Sequence, residues 1–254
     1  MARSTRSPAP LRAVFVDIGD TVMRPSPSWE HIYAMAFAEY GVQVDVEDLR
    51  RALRAAYHHG GWGMDGGFEP TEETSFRRTI EIDQMAIEEL GIGPMPEPFF
   101  RRLSQLFMLT SNWHIFPDTH EALAALRERH LVVAAVSNWV WNLPELLHSL
   151  ELVSHFDFIA ASARVGYEKP DPRFFTYALE RAKARPEEAI HVGDHIDADV
   201  RGALASGLDA VLIDRNHRYT SADLPPGVPL ITSLAELLPI VDARLAAASA
   251  RAAG

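Results

Sequence analysis

Five short apolar runs punctuate the chain, at 13–16, 131–136, 156–160, 189–192 and 210–213. They are rich in Val, Ile, Ala and Phe and show little polar–apolar alternation. Such runs suit strands buried on both faces of a parallel sheet. Helical patterns separate the last four. Asp118 stands as a cap before Leu123 and Leu126 at helical spacing, and a second helix opens at Asn142 or Leu143. A third follows Pro172, with Phe174, Tyr177, Ala178 and Arg181 on one spacing, and a fourth covers 198–206 and stops at Gly207. The alternation predicts an α/β fold with a Rossmann-like, doubly wound parallel sheet.

A long interruption, 25–112, parts the first strand from the second. It carries four helical patterns, at 29–40, 46–57, 72–90 and 98–109, and no convincing strand. Gly41, a glycine-rich stretch at 59–67 and another turn region at 91–96 divide them. A segment of this length is no simple crossover loop. It reads as an α-helical domain inserted near the C-terminal end of the first strand. Ligands bind at that edge in open α/β sheets, so the insert would cover the site as a cap. The expected division is a core of 1–24 and 113–254 and a cap of 25–112, with Trp113 and His114 at the return hinge.

Composition narrows the function classes. The chain has 254 residues, 47% hydrophobic and 23% charged, which is ordinary for a globular protein. A formal charge of −11 argues against a nucleic-acid partner. It leaves room for a small phosphorylated substrate, because a bound divalent cation neutralises a site locally. Without cysteine there is no disulfide, thiolate zinc site or cysteine nucleophile. No apolar run reaches the ~18 residues of a membrane span, and residues 1–10 do not read as a signal peptide, so a cytoplasmic location is expected. Nothing in the pattern specifies an oligomeric state. The basic residues are almost all arginine, and Lys169 and Lys183 are the only lysines.

Chemistry collects at strand ends. Asp17-Ile18-Gly19-Asp20-Thr21 follows the first strand, and Ser137-Asn138 the second. Lys169-Pro170 comes after the third and a loop, and Gly193-Asp194 with Asp199 after the fourth. One edge of a parallel sheet would bring these together. Clustered carboxylates resist ionisation unless a cation sits among them, so Asp17, Asp194 and Asp199 point to a hard divalent ion with oxygen ligands, Mg2+. A phosphoryl group in transfer needs positive charge and fixed donors, which Lys169, Ser137 and backbone N–H groups near Gly19 and Asn138 would supply. Asp17 could attack phosphorus to give an aspartyl-phosphate.

These four segments, in this order and with a helical insert after the first, resemble the haloacid dehalogenase-like hydrolase superfamily, in the group with its cap after the first motif. The resemblance covers about residues 11–214. It implies Asp17 as nucleophile and metal ligand, the Gly19 carbonyl as a second ligand, and Thr21 as a positioning residue. It further implies Ser137 on the transferred phosphoryl group, Lys169 steadying nucleophile and phosphoryl, and Asp194 with Asp199 holding magnesium directly or through water. The departure is Gly19, where phosphatases of the superfamily usually carry an aspartate as general acid. Such proton transfer contributes typically ~10²–10⁴-fold. Three outcomes stay open: a leaving group that needs no proton, a substitute acid from the cap or Asp20, or a slow or non-catalytic member.

The leading expectation is a magnesium-dependent, phosphatase-like hydrolase of a small phosphorylated metabolite, a phosphoric monoester or an acyl phosphate. The rivals are a binding protein that has lost efficient chemistry and a metal-independent 2-haloacid dehalogenase. The retained Asp194 and Asp199 favour magnesium chemistry over the latter. The lysine-free cap argues against the Schiff base of phosphonoacetaldehyde hydrolases. Around the site, Asn138, Gly19, Asp20, Trp139 and His58 are candidate substrate contacts, with His58, His59 and Asp65 in the glycine-rich stretch. Trp139 and Trp141 line the entrance or meet the cap. His195 caps the following helix, Asp197 is a solvated or helix-start charge, and Asp171 with Arg173 orients the Lys169 loop.

Overall fold

The computed structural model describes residues 9–60 and 67–252. β1 (Ala13–Val16) leads through a tight loop into β2 (Met23–Pro25). Four helices follow: α1 (Trp29–Glu39), α2 (Val46–Gly60), α3 (Glu72–Glu89) and α4 (Glu97–Met108). β3 (Trp113–Ile115) returns antiparallel to β2, Met23 opposite Ile115. Next come α5 (Thr119–Glu128), β4 (Val132–Ser137), α6 (Leu143–Ser149), β5 (Phe158–Ala161), α7 (Ser162–Val165) and α8 (Pro172–Ala182). The chain closes with β6 (Ala189–Gly193), α9 (Gly202–Ala205), β7 (Asp209–Ile213), β8 (Leu230–Ile231) and α10 (Leu237–Ala252).

The main sheet is parallel throughout, in the order β5-β4-β1-β6-β7-β8. β1 lies at its middle, and Val16 is level with Ala135 on one neighbour and Val192 on the other. All four β1 side chains are buried, alternating between two cores. Val14 and Val16 pack with Leu123, Leu126, Leu146 and Val241 of α5, α6 and α10. Ala13 and Phe15 pack with Phe174, Phe175 and Ala178 of α8. Helices cover both faces, which is why the strands read as continuous apolar runs. The helical insert has a third core of its own, built on Ile32, Phe37, Leu49, Ile82, Phe99 and Leu103.

Some expectations need correction. The β2–β3 ribbon stands where no strand was expected, and Trp113 and His114 belong to it. Three residues including Pro25 carry too little pattern to announce a strand. The two-residue β8 escapes for the same reason. β5 starts at Phe158, because Asp157 ties its neighbour first: its N–H bonds the Val133 carbonyl at 2.7 Å and its Oδ2 accepts the Val133 N–H at 2.9 Å. The expected helix at 198–206 begins as a wide turn over Ile196–Arg201, where the Val200 N–H reaches the His195 carbonyl at 3.3 Å. Asp118 sits at the start of α5 without capping it; its carboxylate goes to Arg215 and to the Leu234 N–H. His58 and His59 fall on the last turn of α2 and not in a loop, since no breaker interrupts 46–59. Their side chains, and Asp65 entirely, lie outside the described residues.

Candidate active site

The loop after β1 is a hook. The Asp17 N–H continues the ladder to the Val192 carbonyl at 2.9 Å, while the N–H groups of Thr21, Val22 and Met23 turn back to the Ile18 carbonyl at 3.3, 2.9 and 3.2 Å. Asp20 closes it in a left-handed conformation (φ 51°), which aspartate tolerates better than most residues. Asp17 is thereby held at the sheet edge, only 7% exposed.

Lys169, in the loop between α7 and α8, donates from Nζ to Asp17 Oδ1 at 2.7 Å and to Asp199 Oδ1 at 2.6 Å. Its loop is clamped by Asn138, whose Oδ1 accepts the Lys169 N–H at 2.7 Å and whose Nδ2 donates to the Lys169 carbonyl at 2.8 Å. The Asn138 side chain is therefore a positioning group, spent on the lysine. The Ser137 hydroxyl lies beside the Asp17 carboxylate and helps to draw its pKa down. Asp171 accepts the Arg173 N–H at 2.8 Å and caps α8, so the lysine loop is fixed at both ends.

Asp199 is a hub. Besides Lys169 it accepts from His191 Nε2 at 2.8 Å on Oδ1, and from the His195 N–H at 2.9 Å on Oδ2. It can come this close to β6 only because residue 193 is glycine: an added methyl would overlap the carboxylate. The His195 ring accepts the Ala198 N–H at 3.2 Å and caps the turn, as expected, and Asp197 is an exposed charge paired with Arg201.

These contacts set the charges. Burial pushes the Asp17 carboxyl up; Lys169 draws it back, and Asp199 pushes it up again. Burial opposes the Lys169 ammonium, yet Asp17 and Asp199 hold its pKa above the ordinary lysine value. Asp199 lies well below the carboxylate range, because Lys169 and His191 outweigh its burial. Burial keeps His191 neutral, so its proton belongs on Nε2 facing Asp199, and the buried Nδ1 has no partner. Asp194 is pushed far up by burial and by the charges of Asp199, Asp17 and Asp20, with Arg218 offsetting part from 3.0 Å.

Oxygens of Asp17, Asp194 and Asp199 all lie within 4.8 Å of one another. Three oxygen donors at that spacing, one of them strained by its neighbours' charge, fit a hard divalent cation. Asp199 already accepts three bonds, so Asp17 and Asp194 keep the freer oxygens.

Over Gly19 stands an aromatic wall. Trp29 of α1, Trp113 of β3 and Trp139 after β4 meet pairwise with ring centroids 5.5–5.8 Å apart. A Cβ on Gly19 would lie 3.4 Å from the Trp139 ring and 3.7 Å from that of Trp29. The Trp29 indole N–H donates to Asp20 Oδ2 at 3.3 Å, which offsets the burial that raises the Asp20 pKa. Trp141 also meets the insert, its N–H bonding Ser75 Oγ of α3 at 3.2 Å. The Thr21 hydroxyl is fully buried without a partner, while the Thr21 carbonyl accepts from Arg215 Nη2 at 2.8 Å.

The geometry thus gathers Asp17, Ser137, Lys169, Asp194 and Asp199 and borders them with Gly19, Asp20 and Trp139. Three participants were not read from sequence. His191 left a faint signal, as the polar residue in an apolar strand. Trp29 and Arg218 left none, since only the fold carries them to the site.

A family model for haloacid dehalogenase-like hydrolases matches residues 11–207. The chain is 30% identical over 241 residues to haloacid dehalogenase-like hydrolase domain-containing protein 3 of Bos taurus, covering 91% of this chain and 94% of that one. It is 36% identical over 216 residues to a glyceraldehyde 3-phosphate phosphatase of Methanopyrus kandleri, covering 81% and 84%. Its fold matches the magnesium-bound putative HAD-hydrolase YfnB of Bacillus subtilis with a TM-score of 0.69 at 19% identity, covering 91% and 99%. The strand-end motifs, the six-stranded parallel sheet and the family match agree: the chain belongs to the haloacid dehalogenase-like hydrolase family.

Proposed function

We propose that this protein is a magnesium-dependent phosphatase of a small phosphorylated metabolite, working through an aspartyl-phosphate on Asp17. The observation that carries this reading is the buried Asp17 carboxylate, bonded by Lys169, beside Ser137, and with its oxygens within 4.8 Å of those of Asp194 and Asp199. Relatives named as phosphatases support the reaction class.

Asp17, Asp194 and Asp199 would hold the cation, which when bound neutralises carboxylate and phosphoryl charge together. One carboxylate oxygen of Asp17 attacks phosphorus, and the bond from phosphorus to the leaving oxygen breaks. Lys169 stays charged throughout and draws the nucleophile and the transferred oxygens together. The Ser137 hydroxyl, beside Asp17, donates to the phosphoryl group. Asn138 keeps the lysine loop in register. Water then cleaves the aspartyl-phosphate to inorganic phosphate and restores Asp17. No carboxylate stands at position 19, so the leaving oxygen departs as an anion or takes its proton from another group at the site, Asp20 or a residue of the insert. The helical insert, lined toward the core by Trp29 and Ser75, would exclude water while the first step proceeds.

The test is Asp17→Asn beside the wild type in a metabolite phosphatase screen, with and without millimolar magnesium. Turnover is expected only with Asp17 and magnesium, at unchanged circular dichroism. Wild-type turnover by the variant would sink covalent catalysis, and turnover indifferent to chelation would sink the metal.

A further inference from the structure

Among the described residues, two cationic side chains bond to the acidic trio, and they are held very differently. Lys169 is 2% exposed and bridges two carboxylates. Arg218 rises from the loop after β7, and its side chain is 43% exposed. Its Nη2 donates to Asp194 Oδ2 at 3.0 Å and lies 3.4 Å from the Asp194 carbonyl oxygen. The loop does not depend on those bonds for its shape. Buried Asp214 organises it, accepting the Tyr219 N–H at 2.7 Å and the Asn216 N–H at 3.3 Å, with the Arg218 Nε–H at a long 3.5 Å.

We propose that Arg218 is the resident counter-cation of Asp194 and competes with a divalent ion for that carboxylate, so that Arg218 sets the affinity of the site. The inference rests on the divalent-cation reading of the Asp17–Asp194–Asp199 trio. Its physical basis is competition. Asp194 takes its side-chain bond from Arg218, on Oδ2, whereas Asp199 accepts three bonds and Asp17 Oδ1 is spent on Lys169, so a cation entering the trio competes with Arg218 for the Asp194 charge. An ion pair half open to water is weak, and a guanidinium on an exposed arm can swing into solvent. The bridged lysine has no such exit. After displacement the guanidinium charge still stands at the rim and opposes a second positive charge.

The experiment is titration calorimetry of magnesium chloride into the full-length wild type, Arg218→Ala and Arg218→Lys, at low and high potassium chloride. Arg218→Ala should bind magnesium about three- to tenfold more tightly, from loss of a weak competing pair and of the remaining repulsion. Arg218→Lys should fall between, since an ammonium competes without the planar fork. The gap should narrow as salt rises. Equal or weaker binding by Arg218→Ala overturns the inference while leaving the metal site standing. No binding heat in any of the three overturns the metal reading and the inference with it. Should Arg218→Ala fail to fold by circular dichroism, Arg218→Gln provides the same comparison.

Discussion

Asp83→Asn should alter how the stability of this protein depends on pH. Asp83 lies on α3 inside the helical insert and is 1% exposed. Its Oδ1 accepts from the Tyr33 hydroxyl at 2.7 Å and from that of Tyr57 at 3.3 Å, while Oδ2 is buried with no partner. Burial pushes its pKa from 3.8 to about 7, and the two tyrosines recover only part of the shift. The folded state therefore keeps a proton that the unfolded chain gives up. That stabilisation is complete below pH ~4 and is lost as pH rises through about 7, in total roughly 4 kcal/mol at ~1.4 kcal/mol per unit. Asparagine does not titrate. Its oxygen keeps Tyr33, and its NH₂ meets no acceptor, a cost of about 1–3 kcal/mol that is constant with pH. Urea unfolding of both proteins at several pH values isolates the site, because all other groups cancel in the difference. Wild-type stability minus variant stability should fall by about 2.5 kcal/mol between pH ~5 and ~7.5. A constant difference across that range would show that Asp83 ionises normally and refute the argument.

Two further perturbations probe the site. Gly193→Ala puts a methyl into the Asp199 carboxylate; about 1–3 kcal/mol of stability should be lost, together with any magnesium-induced rise in melting temperature, and an unshifted thermal scan would contradict the close approach. A Cβ at Gly19 already touches the Trp139 ring at 3.4 Å, so alanine fits and a carboxylate beyond it is crowded. Gly19→Asp should accelerate hydrolysis of alkyl phosphates, by ~10²-fold or more, chiefly once Trp139 is shortened to leucine; an equal gain in the single variant would show that the rings do not limit it.

Much of the site was legible because its residues lie at the ends of apolar runs. A parallel sheet collects such ends on one edge, so Asp17, Ser137, Lys169 and Asp194 meet although far apart in sequence. What escaped is of another kind. An amide after a strand does not announce that both ends of the Asn138 side chain will be spent on the Lys169 backbone. Trp29 lies in a helical pattern that shows an apolar face but not which strand end that face will meet.

The sequence by itself determined the layered α/β architecture, the place of the insert and the identity of the charged groups, because period, burial and strand-end position are local properties of the chain. Only the tertiary structure decided which carboxylates Lys169 would bridge, that Arg218 would hold Asp194, and that tryptophans would stand where a proton donor could have been. Those outcomes depend on the directions of side chains carried by elements far apart in sequence, and packing alone sets them.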